Sequence, residues 1–356
     1  MFRSQAHFNW LIPFVLGLAL LCGSACKRAS NITKEVAYVN APQVILRDRL
    51  STIYEKKGTV KLGERVYVLN HERRFTLVRN DRGEEGWIAD RYLITAKEFE
   101  QFQKLSSDNT KTPSQTRGTT RAPVNLHLTP GRDTEHLYQL KEGEKVDVLK
   151  RGTAEKPNSF QPSPAAAKKP GEKGTDTALV PVLEDWVLVR NGEGQAGWVL
   201  SRLVDVDIPL EIAQYAEGQR IVSAKVINEI QDEDKKVPQY LVMLSDNKDG
   251  LSWDYNQIRV FTWNSKKHRY ETAYRERDLV GVFPIKIGTE DFGKEGVLPV
   301  FTLTVKGQDG KESERKYRMI GPIVRRVASP DELKQESAER AARRQENKQT
   351  KAKKRR

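Results

Sequence analysis

The sequence predicts a mainly β protein: one small β unit present twice in tandem, then a third all-β region that does not repeat it. Three observations predict this. The chain first repeats itself. LVRNDRGEEGWIADRYL (Leu77 to Leu93) and LVRNGEGQAGWVLSRLV (Leu188 to Val204) agree at eight of 17 positions, including Gly86-Trp87 against Gly197-Trp198. Upstream, KLGERVYVL (Lys61 to Leu69) and KEGEKVDVL (Lys141 to Leu149) agree at six of nine, and VILR (Val44 to Arg47) answers VNLH (Val124 to His127). A repeat of this kind takes precedence over local propensity in assigning a fold. Second, short alternating apolar runs separated by Gly, Asn and Asp turns recur along most of the chain, the pattern of half-buried strands. Third, helical spacing appears only in a few short stretches.

The N-terminus reads as an export signal. MFRSQAHFNW carries Arg3, LIPFVLGLALLC is an apolar run of 12 residues, and GSAC supplies small residues before Cys26. The run is too short for a spanning helix, which needs about 20 apolar residues. Gly23, Ser24, Ala25 and Cys26 resemble the bacterial lipobox, with Gly23 where that motif usually has Leu. The resemblance implies a signal over residues 1–25, a diacylglycerol on Cys26 and an exported, membrane-anchored chain. It also implies an outer-membrane position facing the periplasm where two membranes exist, because Lys27 rather than Asp follows the cysteine. Cys22 and Cys26 are the only cysteines, so the mature chain has no intrachain disulfide. Residues 26–34 form a short polar tether, at most about 30 Å long when extended.

The first unit spans 35–94, with short strands around Val36, Val44, Val60, Val66, Phe75 and Gly86. Five or six short strands in so few residues imply a small barrel. KEFEQFQKL (Lys97 to Leu105) has helical spacing, and Ser106 to Arg121 is Ser/Thr-rich, so 95–121 is expected to link the units. The second unit spans 122–206. Its two matches to the first lie at offsets of 80 and 111, so it carries 31 extra residues (111 − 80) between Leu149 and Leu188. This insertion, 152–184, holds five prolines and little apolar content and is expected to be disordered.

The order V-x-L-R, K-x-G-E-x-V-x-V-L, L-V-R-N, G-W-I/V is similar to that of bacterial SH3-like domains. Two copies in the same order carry the likeness. Family members often have Trp entering the fourth strand; the second copy has Trp186 there and the first has Phe75. The resemblance implies modules that bind cell-wall peptide or glycan, or that join proteins. Exported relatives often carry a cysteine peptidase domain as well, which a mature chain with Cys26 alone cannot supply.

DIPLEIAQYAEG (207–218) is expected to be a helix capped by Asp207. It leads the third region, 207–328, where seven strands are predicted between Ile221 and Ile320. Residues 329–356 are a charged, partly helical tail ending in KAKKRR; from Pro330 on it has ten basic and five acidic residues, +5 of the chain's +13. That balance favours a polyanion. Export disfavours nucleic acid and leaves lipid head groups, peptidoglycan or an envelope protein as partners.

No catalytic constellation is evident, and no cofactor or metal is expected. His127 and His136 lie nine residues apart across an expected loop, and Asp246-Asn247-Lys248-Asp249-Gly250 reads as a hairpin turn with Lys248 where a calcium ligand would stand. Trp87 and Trp198 are expected to cover the core of each unit. Tyr54, Tyr138 and Trp186 are groove candidates, together with an aromatic and basic hairpin formed by Trp263, Lys266, Lys267, Arg269 and Tyr270. The function expected is non-catalytic binding through the tandem units. The alternatives are an assembly factor gripping a protein through the third region, and an enzyme using its Asp and Glu residues.

Overall fold

The computed structural model describes residues 35–162, 179–307 and 309–328. The export signal, Cys26, the tether, the centre of the insertion and the charged tail lie outside the described residues. The protein is mainly β, as its patterning predicts.

The first unit is one antiparallel sheet of seven strands: β1 (Val36–Val39), β2 (Gln43–Arg47), β3 (Lys56–Lys61), β4 (Arg65–Glu72), β5 (Phe75–Asn80), β6 (Glu85–Ala89) and β7 (Leu93–Thr95). Their order is β3-β2-β6-β5-β4-β1-β7. The second unit contains β8 (Thr116–Thr120), β9 (Val124–His127), β10 (His136–Leu140), β11 (Lys145–Pro162), β12 (Leu179–Asn191), β13 (Ala196–Leu200) and β14 (Val204–Val206), in the corresponding order β10-β9-β13-β12-β11-β8-β14. Each sheet packs one face inward, with Leu46, Val66, Val78 and Ile88 in the first core and Leu126, Val146, Val189 and Val199 in the second.

The glycine shared by the two Gly-Trp pairs has a steric reason. A Cβ on Gly86 would lie 2.7 Å from Leu46 Cβ, and one on Gly197 would lie 2.5 Å from Leu126 Cβ. The glycine lets the last long strand cross closely over β2 or β9, where Arg47 faces Trp87 and His127 faces Trp198. The tryptophans are not core residues. Side chains alternate along a strand, so Ile88 and Val199 point inward while Trp87 and Trp198 are half-buried on the outer face.

Two expected flexible segments are ordered. Thr95 and Glu98 form a capping box that starts α1 (Ala96–Asp108), and β8 begins before the expected start of the second unit. Phe102 of α1 is fully buried with Ile94 of the first unit and Leu137 of the second, and Phe99 stacks on Tyr38. Ser106 Oγ accepts from Ala196 N, and Arg190 donates to the Asn109 and Thr110 carbonyls. The segment read as a linker therefore joins the two sheets. The outer parts of the insertion are likewise paired, β11 against β12 from Gly152↔Trp186 out to Pro162↔Leu179. A register shift between Glu155 and Phe160 accommodates the proline-rich composition. Backbone pairing here needs no apolar face, which is why composition alone misread it.

The third region opens on a short helix α2 (Leu210–Ala213), preceded by Pro209 rather than capped by Asp207, whose carboxylate instead meets Lys145. Eight strands follow, one more than the spacing predicts. The first sheet is β15 (Arg220–Asp232), β16 (Lys235–Ser245), β17 (Gln257–Asn264) and β18 (Arg269–Glu276); the second is β19 (Gly281–Asp291), β20 (Val297–Lys306), β21 (Glu312–Ile320) and β22 (Ile323–Val327). Leu241, Ile258 and Val260 of the first sheet and Phe301, Leu303 and Tyr317 of the second share one core. Asp246 to Gly250 lies in the long connection from β16 to β17 and is not a tight hairpin turn.

Candidate functional site

The strongest site candidate is a cleft of about 530 Å³ between the second sheet and the third region. Its apolar wall includes Val148, Val187 and Val204 from the second sheet, and Ile208, Ile221 and Phe283 from the third region. Lys150, Arg202 and Asp205 approach from one side, and Arg220 and Asp249 from the other.

A buried ion network fixes these walls. Asp185 of β12 is almost wholly buried and accepts at 2.6 Å from Arg151 Nη2, 3.0 Å from Arg220 Nη2 and 2.9 Å from Gly250 N. Arg151 also donates to the carbonyls of Leu251 and Trp253, and its Nη1 stands 3.7 Å from Asp254. Ser223 Oγ donates to Gln115 O at 2.6 Å, and Lys225 Nζ to Ser114 O. A carboxylate buried this deeply is tolerable only with such partners.

The two acids of the network shift in opposite directions. Burial would raise the Asp185 carboxyl, but the Arg151 hydrogen bond, the Gly250 N–H and Arg220 outweigh it and hold it below its usual range. Burial dominates at Asp254 and raises it despite the Phe283 N–H and Arg151. Beside them, Glu184 receives Arg132 through both Nε and Nη2, at 2.7 and 2.6 Å, and Arg202 at 3.3 Å. The Arg132 bond pulls Glu184 below its usual range.

This centre was not singled out from the sequence. The signal that marks it is LVPVLEDWVLVR, in which Glu184 and Asp185 sit inside an otherwise apolar strand. An acid pair buried there requires cationic partners.

The residues singled out from the sequence fare differently. Trp186 is buried rather than groove-lining, with His127 edge-on to its ring at 5.3 Å. Tyr138 packs against Phe102 at the junction of the two sheets, and its hydroxyl accepts from Gln103 Nε2. Tyr270 is buried against Tyr240, and its hydroxyl donates to Pro238 O. Trp263 is half-buried, with Nε1 donating to Asp232. The expected aromatic face of this hairpin is therefore packed inward; Arg259 and Phe261 are fully buried, with Arg259 bonded to Tyr215 O and Glu217. Lys266 is exposed at the turn, while Lys267 and Arg269 both donate to Glu271. With Asn264 also donating, the Glu271 carboxyl is held at about 2, and Lys267 and Arg269 share this one carboxylate.

Tyr54 is not packed into a core. It is half-exposed under the Arg47 guanidinium, 4.3 Å from its ring centroid, and the Phe75 ring centroid lies 5.6 Å from the same guanidinium. His127 and His136 flank the loop expected between them and are direct partners across β9 and β10, with ring centroids 5.6 Å apart. Among the described residues no group of three His, Cys, Asp or Glu side chains is placed to hold a metal ion, and no helix is long and apolar enough to cross a membrane.

No protein-family model matches the sequence, and no curated protein is similar to it. Among solved structures, an NlpC/P60 family protein from Bacillus cereus is 10% identical, with a TM-score of 0.21; the match covers 52% of this chain and 64% of that one. NlpC2 from Trichomonas vaginalis is 11% identical, with a TM-score of 0.16, over 83% of this chain and 94% of that one. Likeness this slight carries no argument about fold or activity.

Proposed function

We propose that this chain is a non-catalytic binding protein of the bacterial envelope, anchored through a lipid on Cys26 and built from two SH3-like modules and a third β region. Its ligand site is the cleft between the second module and that region. The observation that carries this reading is the construction of the cleft. Its walls come from two units, and a buried network centred on Asp185 fixes one against the other. Its volume of about 530 Å³ falls within the ~300–1,000 Å³ typical of ligand sites.

The charge of the lining selects among ligands. Arg121, Lys150, Arg151, Arg202 and Arg220 are set against Asp185, Asp205, Asp249 and Asp254, five cations and four anions. A lining so nearly balanced suits a peptide with charges of both signs better than a polyanion. The ligand class is therefore a wall peptide or a segment of an envelope protein.

Two measurements on the full chain separate these ligands. Retention on purified wall material supports the wall peptide. A single stoichiometric protein adduct on crosslinking in cells supports an envelope protein and the assembly role. The absence of both retention and an adduct sinks the binding reading. The competing placement of the ligand, on the first module instead of in the cleft, draws on one observation, the outer face where Arg47, Tyr54 and Phe75 meet.

A further inference from the structure

Strand β19 is an edge of its sheet. It pairs with β20, and no strand among the described residues pairs with its other side. From Lys286 to Asp291 every residue is exposed. The segment contains no proline, and its register shift lies before it, between Val282 and Lys286. Its charges, Lys286, Glu290 and Asp291, blunt it against indiscriminate pairing and leave it open to a strand of complementary charge.

The polarity of this edge follows from one pairing. Thr289 stands opposite Pro299, which has no N–H. The pair cannot exchange two hydrogen bonds, so it is a non-hydrogen-bonded pair of the antiparallel ladder. The main-chain groups of Gly288 and Glu290 therefore face β20. Those of Ile287, Thr289 and Asp291 face outward. Ile285 keeps the same phase, and its outward N–H is already taken by Gln115 Oε1 at 3.2 Å.

The side chains identify the strand that fits. Lys286 and Glu290 lie two positions either side of Gly288 and project from one face. They continue a charge pattern across the sheet, Lys286 meeting Glu314 at 2.6 Å and Glu290 meeting Lys316 at 2.9 Å. Suppose a second β19 runs antiparallel about a two-fold axis at Gly288. Ile287 of each copy then exchanges both main-chain bonds with Thr289 of the other, which matches the outward groups. Lys286 of each copy falls opposite Glu290 of the other in a non-hydrogen-bonded pair, where side chains approach closest. Pairing of hydrogen bonds and pairing of charges demand the same register.

We propose that β19 is a self-association edge, through which two copies of this chain join their second C-terminal sheets into one eight-stranded sheet. The interface is isologous, as a two-fold requires. It is narrow, and the association is correspondingly weak.

Sedimentation of the full chain across a concentration series tests this. A monomer–dimer equilibrium is expected. Thr289→Pro removes an outward N–H that bonds to none of the described residues, and should leave a monomer with unchanged circular dichroism. Lys286→Glu and Glu290→Lys each place like charges opposite each other twice, and each should weaken the dimer by about tenfold or more. Mixing these two variants restores opposite charges at both contacts, so the mixture should form a heterodimer that neither variant's homodimer matches.

Gly288→Cys gives an independent measure in a Cys22→Ser, Cys26→Ser background. A Cβ at Gly288 meets nothing within 4 Å, and facing residues of a non-hydrogen-bonded pair stand about 4.5 Å apart, within disulfide reach. Air oxidation should link two chains at this position, and should not link them through a Thr289→Cys variant. A chain that stays monomeric at every concentration overturns the proposal. So does a dimer that Thr289→Pro leaves intact, or a mixture no tighter than its components.

Discussion

At one place in the repeat the first copy has Arg47 against Tyr54 and Phe75, while the second has His127 against Trp186. Leu69 is 37% exposed, whereas its counterpart Leu149 is 1% exposed. Arg73 and Arg74 are exposed at the turn of the first copy, whereas their counterparts Glu184 and Asp185 are buried. Every strand pairing is shared between the copies. The backbone fold thus tolerates opposite outer faces. One copy leaves its face open, and the other uses it to dock α1 and the third region. The difference teaches that the Gly-Trp signature specifies how strands cross and leaves the outer surface free to change role.

Four measurements break or sharpen this comparison. The largest effect is expected at Asp185. Asp185→Ala leaves the largely covered Arg151 and the part-exposed Arg220 without their carboxylate and should lower stability to urea by about 3 kcal/mol. Arg74→Ala, at the equivalent place in the first copy, should change it by no more than about 0.5 kcal/mol. Equal effects would remove the contrast.

The glycines should show no contrast. Gly86→Ala and Gly197→Ala each drive a methyl group into a leucine Cβ of the crossing strand, so each should destabilise by about 1–3 kcal/mol. A neutral result at either site would mean that the strand crossing is not what demands glycine.

Thr95→Ala removes the cap of the helix that leaves the first copy and covers part of the second. A loss of about 1 kcal/mol is expected, with faster hydrogen exchange at Ala196, whose N–H bonds to Ser106 of that helix.

The smallest effect concerns pH and belongs to the second copy alone. Burial lowers both His127 and His136 below their usual value. An imidazole held neutral in the folded state contributes stability above the unfolded value of about 6.5. That stability is lost as pH falls from there through the lower folded value, because the unfolded chain binds the proton first. Thermal unfolding of His127→Gln/His136→Gln should therefore depend less on pH in this window than that of the parent chain. Identical slopes would place the pH dependence elsewhere.

Much of the fold was legible because strands leave a local trace. The repeat, the alternation in KLGERVYVL and the turn residues put most strands within a few residues of their observed limits. The ordered insertion was not legible, because β11 and β12 continue past the core through main-chain bonds that composition does not report. The linker was misread for a related reason: Phe102 and Ser106 become structural only when two sheets meet them.

The site was less legible than the fold. Aromatic residues drew attention, yet Trp186 and Tyr270 are packing groups. The centre of the cleft is Asp185, whose partners Arg151, Arg220 and Gly250 come from three separate stretches. No local pattern can announce such a convergence; only the acid pair within an apolar strand hints at it.

The central claim is that ligand is held in the cleft of the second copy and not on the open face of the first. Lys150→Glu/Arg202→Glu reverses two exposed cations at the cleft, and Arg47→Ala/Tyr54→Ala removes the half-buried pair on the first copy. Retention of both full-length variants on purified wall material, with crosslinking in cells alongside, compares the two sites directly. The cleft variant should lose retention or its protein adduct while the first-copy variant keeps it. Loss by the first-copy variant, with the cleft variant unaffected, would contradict the account.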